Sequence, residues 1–172
     1  MKKEVYLWVL LRLSLGLIFL WAFLDKLFGL GFTTCRNAET GVTQIMCQNA
    51  WLSGGSPTTG FLKFATHGPF ATLYQSLVGS VAVDWLFMLG LLLIGLALIL
   101  GIGMKLAAYS GALLLFMMWT ATLPPEHHPF IDEHIIYALV LILLYYVKAG
   151  HYFGYGEQWS KSYLVKNHPI LE

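Results

Sequence analysis

Six side chains suited to proton transfer or metal binding lie in one short stretch of the chain. Its members are Glu126, His127, His128, Asp132, Glu133 and His134. Histidine titrates near neutral pH, and a neighbouring carboxylate can orient it or relay a proton. The same residue types ligate metals, but the adjacent histidine pair has no recognised ligand spacing, so we predict no metal site.

Two cations stand apart from that stretch, in the first long apolar run. Arg12 and Lys26 are fourteen residues apart, nearly four helical turns, so a helix places both on one face. A charge inside a membrane span is costly and usually functional. Snorkelling of Arg12 to the lipid headgroups is the alternative interpretation.

The chain has two cysteines, Cys35 and Cys47. Paired as a disulfide, they would close a short loop and stabilise the fold by roughly 3 kcal/mol. As a reactive pair, they would carry sulfur or electrons by thiol–disulfide exchange. The sequence leaves both roles open. It contains no haem, iron–sulfur or dinucleotide motif, so we expect no tightly bound cofactor.

The composition defines the setting in which these residues work. Of 172 residues, 58% are hydrophobic and 11% are charged, the mean hydropathy is +0.68 and the net charge is +1. Soluble domains average about 25% charged residues. These values exclude a soluble globular enzyme, a disordered chain and a nucleic-acid binder. They indicate an integral protein of the lipid bilayer.

Four apolar runs approach the roughly 20 residues that a membrane helix needs. They cover residues 5–24, 81–100, 105–123 and 131–147. The sequence therefore predicts an all-α membrane protein, a four-transmembrane-helix bundle in a single domain, 1–172. The first run is too long for a signal peptide and lacks its cleavage pattern, so we expect a retained span.

The remaining segments are a long loop region, 25–80, and a tail, 151–172. We expect short interfacial helices within the loop at 61–65 and 70–78. Lysine and arginine residues number six on the side of the termini and three on the other side, which favours cytoplasmic termini. Polar residues then gather at the outer end of the bundle, so the site should open outward.

Three motifs stand out in the sequence: Arg12-x3-Gly16 with Asp25-Lys26-Leu27, the run from Trp51 to Leu62, and Pro124-Pro125-Glu126-x2-Pro129-x2-Asp132-Glu133-His134-x2-Tyr137. Together they resemble the DoxD subunit of thiosulfate:quinone oxidoreductase, within the DoxX-like membrane proteins. The resemblance implies a prokaryotic cytoplasmic-membrane enzyme that oxidises thiosulfate to tetrathionate and passes two electrons to a membrane quinone. It also implies a DoxA-like partner subunit, and small residues on the spans permit a homo-oligomer.

Thiosulfate is a dianion, and the resemblance assigns its binding to Arg12, Lys26 and the glycine-rich run. The expected contacts in that run are Ser53, Gly54, Gly55, Ser56, Thr58 and Thr59. Glycine lets backbone N–H groups come close to an anion, and a helix capped by either threonine would attract one. Without the resemblance, the run is typical of an ordinary turn.

Quinone is the expected co-substrate, and its reduction consumes two protons as well as two electrons. The implied catalytic residues are His134 and Asp132 as proton carriers and Cys35 and Cys47 as a redox pair. The expected quinone-binding residues are Trp85, Trp119, Tyr137 and His127. An aromatic belt at the membrane interface is the alternative for the tryptophans.

Two other functions are compatible with the sequence. The chain could be a non-catalytic membrane subunit, or a binder or transporter of a small solute, because a fold does not determine a function. It could also be a thiol or persulfide redox enzyme that uses Cys35 and Cys47.

Overall fold

The computed structural model describes residues 3–37 and 39–172, and these contain no β-strand. The α-helices, in chain order, are α1 (Lys3–Phe28), α2 (Ala71–Gln75), α3 (Val81–Leu100), α4 (Met104–Ala121), α5 (Glu133–Tyr146), α6 (Gly156–Ser160) and α7 (Tyr163–Asn167). The predicted helical class is thus confirmed for the described residues.

Three helices, α1, α3 and α4, are long and apolar enough to cross a membrane. Their lengths of 26, 20 and 18 residues correspond to about 39, 30 and 27 Å, compared with a hydrocarbon core of about 30 Å. Their sequences are uninterrupted by proline. Glycines in the left-handed region follow two of them, Gly29 after α1 and Gly101 after α3. These three helices are compatible with a multi-pass membrane protein.

The fourth predicted span corresponds to a shorter apolar helix. α5 has 14 residues, about 21 Å, because it begins after the capping residue Asp132 and ends at Tyr146. Crossing of the bilayer by this segment therefore stays a prediction.

The long helices pack in sequence, with α1 against α3, α3 against α4, and α4 against α5. Leu15, Leu98 and Leu141 belong to the buried core between them. Small residues permit this close approach: a Cβ on Gly95 would lie 2.7 Å from Leu20 Cγ. The outward faces carry large exposed apolar side chains, as at Leu86, which suits a lipid environment.

The loop region between α1 and α3 is irregular but ordered around short helical turns. These are the 3₁₀ turn Trp51–Ser53, the π-helical turn Phe61–Ala65, the 3₁₀ turn Gly68–Phe70, and α2. Two of these turns coincide with the segments where short helices are expected. Their placement at a membrane interface stays a prediction.

The tail folds back onto the opposite end of the bundle. The Tyr155 amide donates to Leu100 O at 2.8 Å, and the Lys105 amide donates to Glu172 O at 2.7 Å. Residues after α5 therefore cover the end where α3 stops and α4 begins.

Candidate functional site

A buried aspartate at the end of α1 organises the first wall of the site. Asp25 is 1% exposed and accepts hydrogen bonds from the amides of Phe32, Thr33 and Thr34 at 2.9, 2.9 and 3.1 Å. Thr33 Oγ1 also donates to it at 2.7 Å. Because its carboxylate accepts four donors from one turn, Asp25 fixes the loop that follows the helix.

Lys26, the next residue, is held beside this loop. Its Nζ donates to Thr33 Oγ1 at 3.3 Å and lies 5.8 Å from the centre of the Phe87 ring. Its ammonium therefore has a defined position at the edge of the first wall.

A second buried aspartate, in the first turn of α3, organises the opposite wall. Asp84 accepts hydrogen bonds from Ser56 Oγ at 2.9 Å, from the Thr58 amide at 3.3 Å and from Thr58 Oγ1. Ser56 Oγ in turn accepts from the amide and hydroxyl of Thr59 at 3.1 and 2.8 Å. These hydrogen bonds hold the segment 56–59 against the first turn of α3.

Between these walls lies an open cavity of about 1120 Å³, which we call the polar cavity. Its described lining contains two cations, Lys26 and Arg36, and no acidic side chain. Hydroxyl and amide groups supply further hydrogen-bond donors, including those of Thr34, Thr40 and Asn49. Both nearby aspartates already bond to the walls, so the cavity favours a small anion.

A second cavity of about 270 Å³, which we call the apolar cavity, adjoins the first. Its lining is largely aliphatic and aromatic, with Thr58, Tyr74 and Ser110 as its hydroxyl-bearing members. The Tyr74 hydroxyl forms a hydrogen bond with Thr120 Oγ1 at 2.6 Å. This arrangement is typical of a site for an apolar ring with one polar substituent.

The two cavities share a wall. Pro57, Phe61, Phe87 and Met118 line both of them. A ligand in the polar cavity would therefore be separated from one in the apolar cavity by single layers of side chain.

The two cysteines form a disulfide at the rim of the polar cavity. Cys35 and Cys47 have an S–S distance of 2.03 Å and a Cα–Cα distance of 5.7 Å, and both line the cavity. The Asn49 amide donates to Cys47 Sγ at 3.3 Å. The disulfide closes the loop, as a stabilising role requires. A redox role, in which the disulfide is opened and re-formed during the reaction, stays a prediction.

The placement of Arg12 corrects the expectation of one site containing both cations of α1. Arg12 is fully buried near the opposite end of the bundle, where its Nη2 donates to Phe153 O at 3.0 Å. Fourteen residues of helix separate it from Lys26 by about 21 Å along the axis. Residues on one face of a helix need not lie at one end of it. Because the side chain is covered by the tail, it does not snorkel.

Three of the six residues of the glycine-rich run that we expected to contact thiosulfate lie outside both the polar and the apolar cavity. Ser53 Oγ donates to Met46 O at 3.0 Å, Gly54 has φ +90°, and Gly55 packs against the backbone of Asn49. These three residues shape the loop and do not line the polar cavity. Ser56 and Thr59 do line the polar cavity, whereas Thr58 faces the apolar one.

The predicted proton carriers form a pair, but away from both cavities. Asp132 caps α5 by accepting from the amides of His134 and Ile135 at 3.0 and 3.3 Å, and its other oxygen lies 2.8 Å from His134 Nδ1. Neither residue lines the polar or the apolar cavity. His127 is exposed in the preceding turn.

The predicted quinone-binding aromatics are likewise dispersed. Trp85 is 53% exposed and meets Trp51 edge to face, with ring centres 4.8 Å apart. The Trp119 indole donates to Phe130 O at 3.0 Å, and Tyr137 packs against the core. None of the three lines the apolar cavity.

Sequence reasoning missed several residues of the observed site. Asp25 stands at the end of the first apolar run, Asp84 stands at the start of the second, and each is near a loop rich in hydroxyl residues. That pattern could have identified them as residues that hold these loops in place. Phe87 and Tyr74 carry no such signal, because only the packing shows which aromatic residues face a cavity. Arg36 lies in a loop whose path the sequence does not specify.

Comparison with known proteins gives no relative: the chain matches no family model, no curated protein and no solved structure.

Proposed function

We propose that this chain is a membrane oxidoreductase that oxidises thiosulfate to tetrathionate and passes the electrons to a membrane quinone. The observation that supports the proposal is the pair of adjoining cavities, one suited to an anion and one to an apolar ring. The resemblance of the sequence motifs to DoxD supplies the identity of the two substrates.

Thiosulfate would bind in the polar cavity beside Lys26 and Arg36. Two thiosulfate ions lose one electron each as their terminal sulfurs join, which gives tetrathionate and two electrons. The absence of acids from the described lining favours the dianion, and the side chains of Thr34 and Asn49 supply donors. Asp25 and Asp84 are positioning residues in this scheme, because they hold the walls without lining the cavity.

The quinone ring would occupy the apolar cavity, where it takes up two electrons and two protons to become a quinol. The Tyr74 hydroxyl is our candidate for the group that bonds a quinone carbonyl, since Tyr74 lines this cavity; it would exchange its bond to Thr120 Oγ1 for one to the quinone. This role replaces the one expected for Trp85, Trp119 and Tyr137. Electrons would cross the shared wall at Phe87 and Phe61.

The membrane arrangement completes the proposal. We infer four spans, with α5 and its flanking residues forming the fourth, and a multi-pass protein with both termini in the cytoplasm. Lys26 near the end of α1, Phe87 near the start of α3 and Met118 near the end of α4 all line the polar cavity. Alternating spans bring these three positions to one face of the membrane, which the lysine distribution assigns to the outside.

A binder of small anions without redox activity is a second candidate. The polar cavity favours it because its cations and donors would hold an anion whether or not a quinone is present.

The test uses the purified full chain in detergent with thiosulfate and a soluble quinone analogue, under anaerobic conditions. We expect quinol and tetrathionate in equal amounts, followed by absorbance and by an assay for tetrathionate. Thiosulfate binding without turnover, even after a partner subunit is supplied, would favour the anion binder. Absence of both binding and turnover in a folded sample would contradict both functions.

A further inference from the structure

The end of the bundle opposite the polar cavity contains a buried cation without a counter-charge. Arg12 is fully buried, and only its Nη2 is hydrogen-bonded, since Nε and Nη1 have no partner in the described part of the chain. Neither of the ion pairs found among those residues involves it. An unpaired buried charge is strongly unfavourable, so the surroundings of this guanidinium favour an anion close by.

Glycine backbone closes around the guanidinium. A Cβ on Gly101 would lie 2.1 Å from Arg12 Nη1, and one on Gly154 would lie 2.5 Å from the same atom. Gly101 has φ +74°, a conformation that also favours glycine. The charge of Arg12 is therefore covered by glycine backbone without side chains, and its electric field extends beyond Gly101.

Gly101 also lines a cavity of about 260 Å³, which we call the inner cavity. It forms where α3 ends, α4 begins and the tail folds back. Lys148 and His151 line it on the basic side, and Glu172 lines it on the acidic side. The rings of Tyr145 and Trp159 add an aromatic part to the lining. The indole of Trp159 is fixed by donating to Leu171 O at 2.6 Å.

The surface around this cavity has the character of a membrane interface. Tyr146, Phe153 and Tyr163 are 67%, 67% and 80% exposed there. Exposed aromatic residues next to lysines are typical of the level of lipid headgroups. Basic pockets at the ends of membrane helices bind such headgroups.

We propose that the inner cavity binds the headgroup of a glycerophospholipid that carries both a phosphate and a primary ammonium, as phosphatidylethanolamine does. The phosphate would lie against Lys148 and His151, in the field of Arg12. The ammonium would donate to Glu172 and lie against the aromatic rings.

The mixed charge of the lining selects this lipid over the alternatives. A purely anionic headgroup would be repelled by Glu172, whereas a trimethylammonium group cannot donate hydrogen bonds to its carboxylate. A primary ammonium can donate to the Glu172 carboxylate, while the phosphate can accept from Lys148 and His151. The site is at the other end of the bundle from the polar cavity, so the proposal does not depend on the proposed function.

The experiment measures lipid retention by the delipidated full chain in detergent, using native mass spectrometry. Phosphatidylethanolamine, phosphatidylglycerol and phosphatidylcholine with identical acyl chains are added in turn. We expect phosphatidylethanolamine to be retained at least about tenfold more strongly than the other two, as one additional charged hydrogen bond would give. Glu172→Gln should remove this preference, Lys148→Ala should weaken retention of all three lipids, and Lys148→Arg should keep both the preference and the retention.

Lys161→Ala is the matched control, because this exposed lysine bonds Glu157 elsewhere on the tail and does not line the cavity. It should retain the preference. Circular dichroism checks that each variant is folded. Equal retention of the three lipids by the wild type would overturn the proposal, as would an unchanged preference in Glu172→Gln or unchanged lipid retention in Lys148→Ala. Inorganic phosphate that binds without any lipid preference would make this a site for a soluble anion, and would overturn it too.

Discussion

Replacing Asp84 with alanine removes the acceptor that ties residues 56–58 to the first turn of α3. Asp84 is 7% exposed, and it accepts from Ser56 Oγ and from both the amide and the hydroxyl of Thr58. Thr58 is itself only 5% exposed, so its donors would lose their partner in a buried place. A buried donor without a partner costs about 1–3 kcal/mol.

The magnitude follows from which donors can find another acceptor. Ser56 is half-buried and lines the open polar cavity, so its hydroxyl can bond water after the substitution. The amide and hydroxyl of Thr58 are the two groups left unpaired. We therefore expect a loss of about 3 kcal/mol, or roughly 6–12 °C in unfolding temperature for a chain of this size.

The assay is thermal unfolding in detergent combined with a titration of thiosulfate binding. Asp84→Ala should lower the unfolding temperature and weaken binding, because the wall formed by residues 56–59 loses its anchor. Asp84→Asn, which keeps one acceptor oxygen, should lie between wild type and Asp84→Ala. Glu157→Ala is the control, since Glu157 is exposed and bonds only Lys161. An unfolding temperature for Asp84→Ala within a degree or so of the control would refute the reasoning.

Two further predictions concern the other end of the bundle and the loop. Gly101→Ala should destabilise the protein by more than about 2 kcal/mol in thermal unfolding, because its Cβ would meet Arg12 Nη1 in a strained φ region. Gly103→Ala, also at positive φ but with no atom closer than 4.0 Å to its Cβ, should cost clearly less, and equal losses would contradict the steric argument. The double variant Cys35→Ser with Cys47→Ser should lose roughly 3 kcal/mol of stability. If the disulfide only closes the loop, quinone reduction per folded molecule stays within about twofold of wild type at low temperature, whereas complete loss would assign it a redox role.

The sequence predicts the long helices well, because an uninterrupted apolar run in a membrane leaves the helix as the only way to pair its backbone. Their ends are also predictable where glycine follows, as at Gly101. The fourth span is harder, since Asp132 caps α5 and shortens the helix within a longer apolar run.

The site is predicted less well, because its geometry depends on packing. Lys26, Ser56 and Thr59 line the polar cavity, and their role in binding thiosulfate stays a prediction. Arg12 does not line this cavity. It shares a helix face with Lys26, but it lies near the opposite end of the bundle. Trp85 points outward at 53% exposure, and Phe87, two residues later, lines both cavities. Nothing in the local sequence distinguishes these two aromatic residues.

The most direct test of the proposed function compares Lys26→Ala with Lys63→Ala in thiosulfate-dependent quinone reduction. Lys63 is an exposed lysine that rests on Phe64 and does not line the polar cavity. We predict that kcat/KM for thiosulfate falls about 10- to 100-fold in Lys26→Ala, the effect of losing one charged hydrogen bond to the substrate, and that Lys63→Ala is unchanged. Equal activity in the two folded variants would contradict the proposed role of the polar cavity.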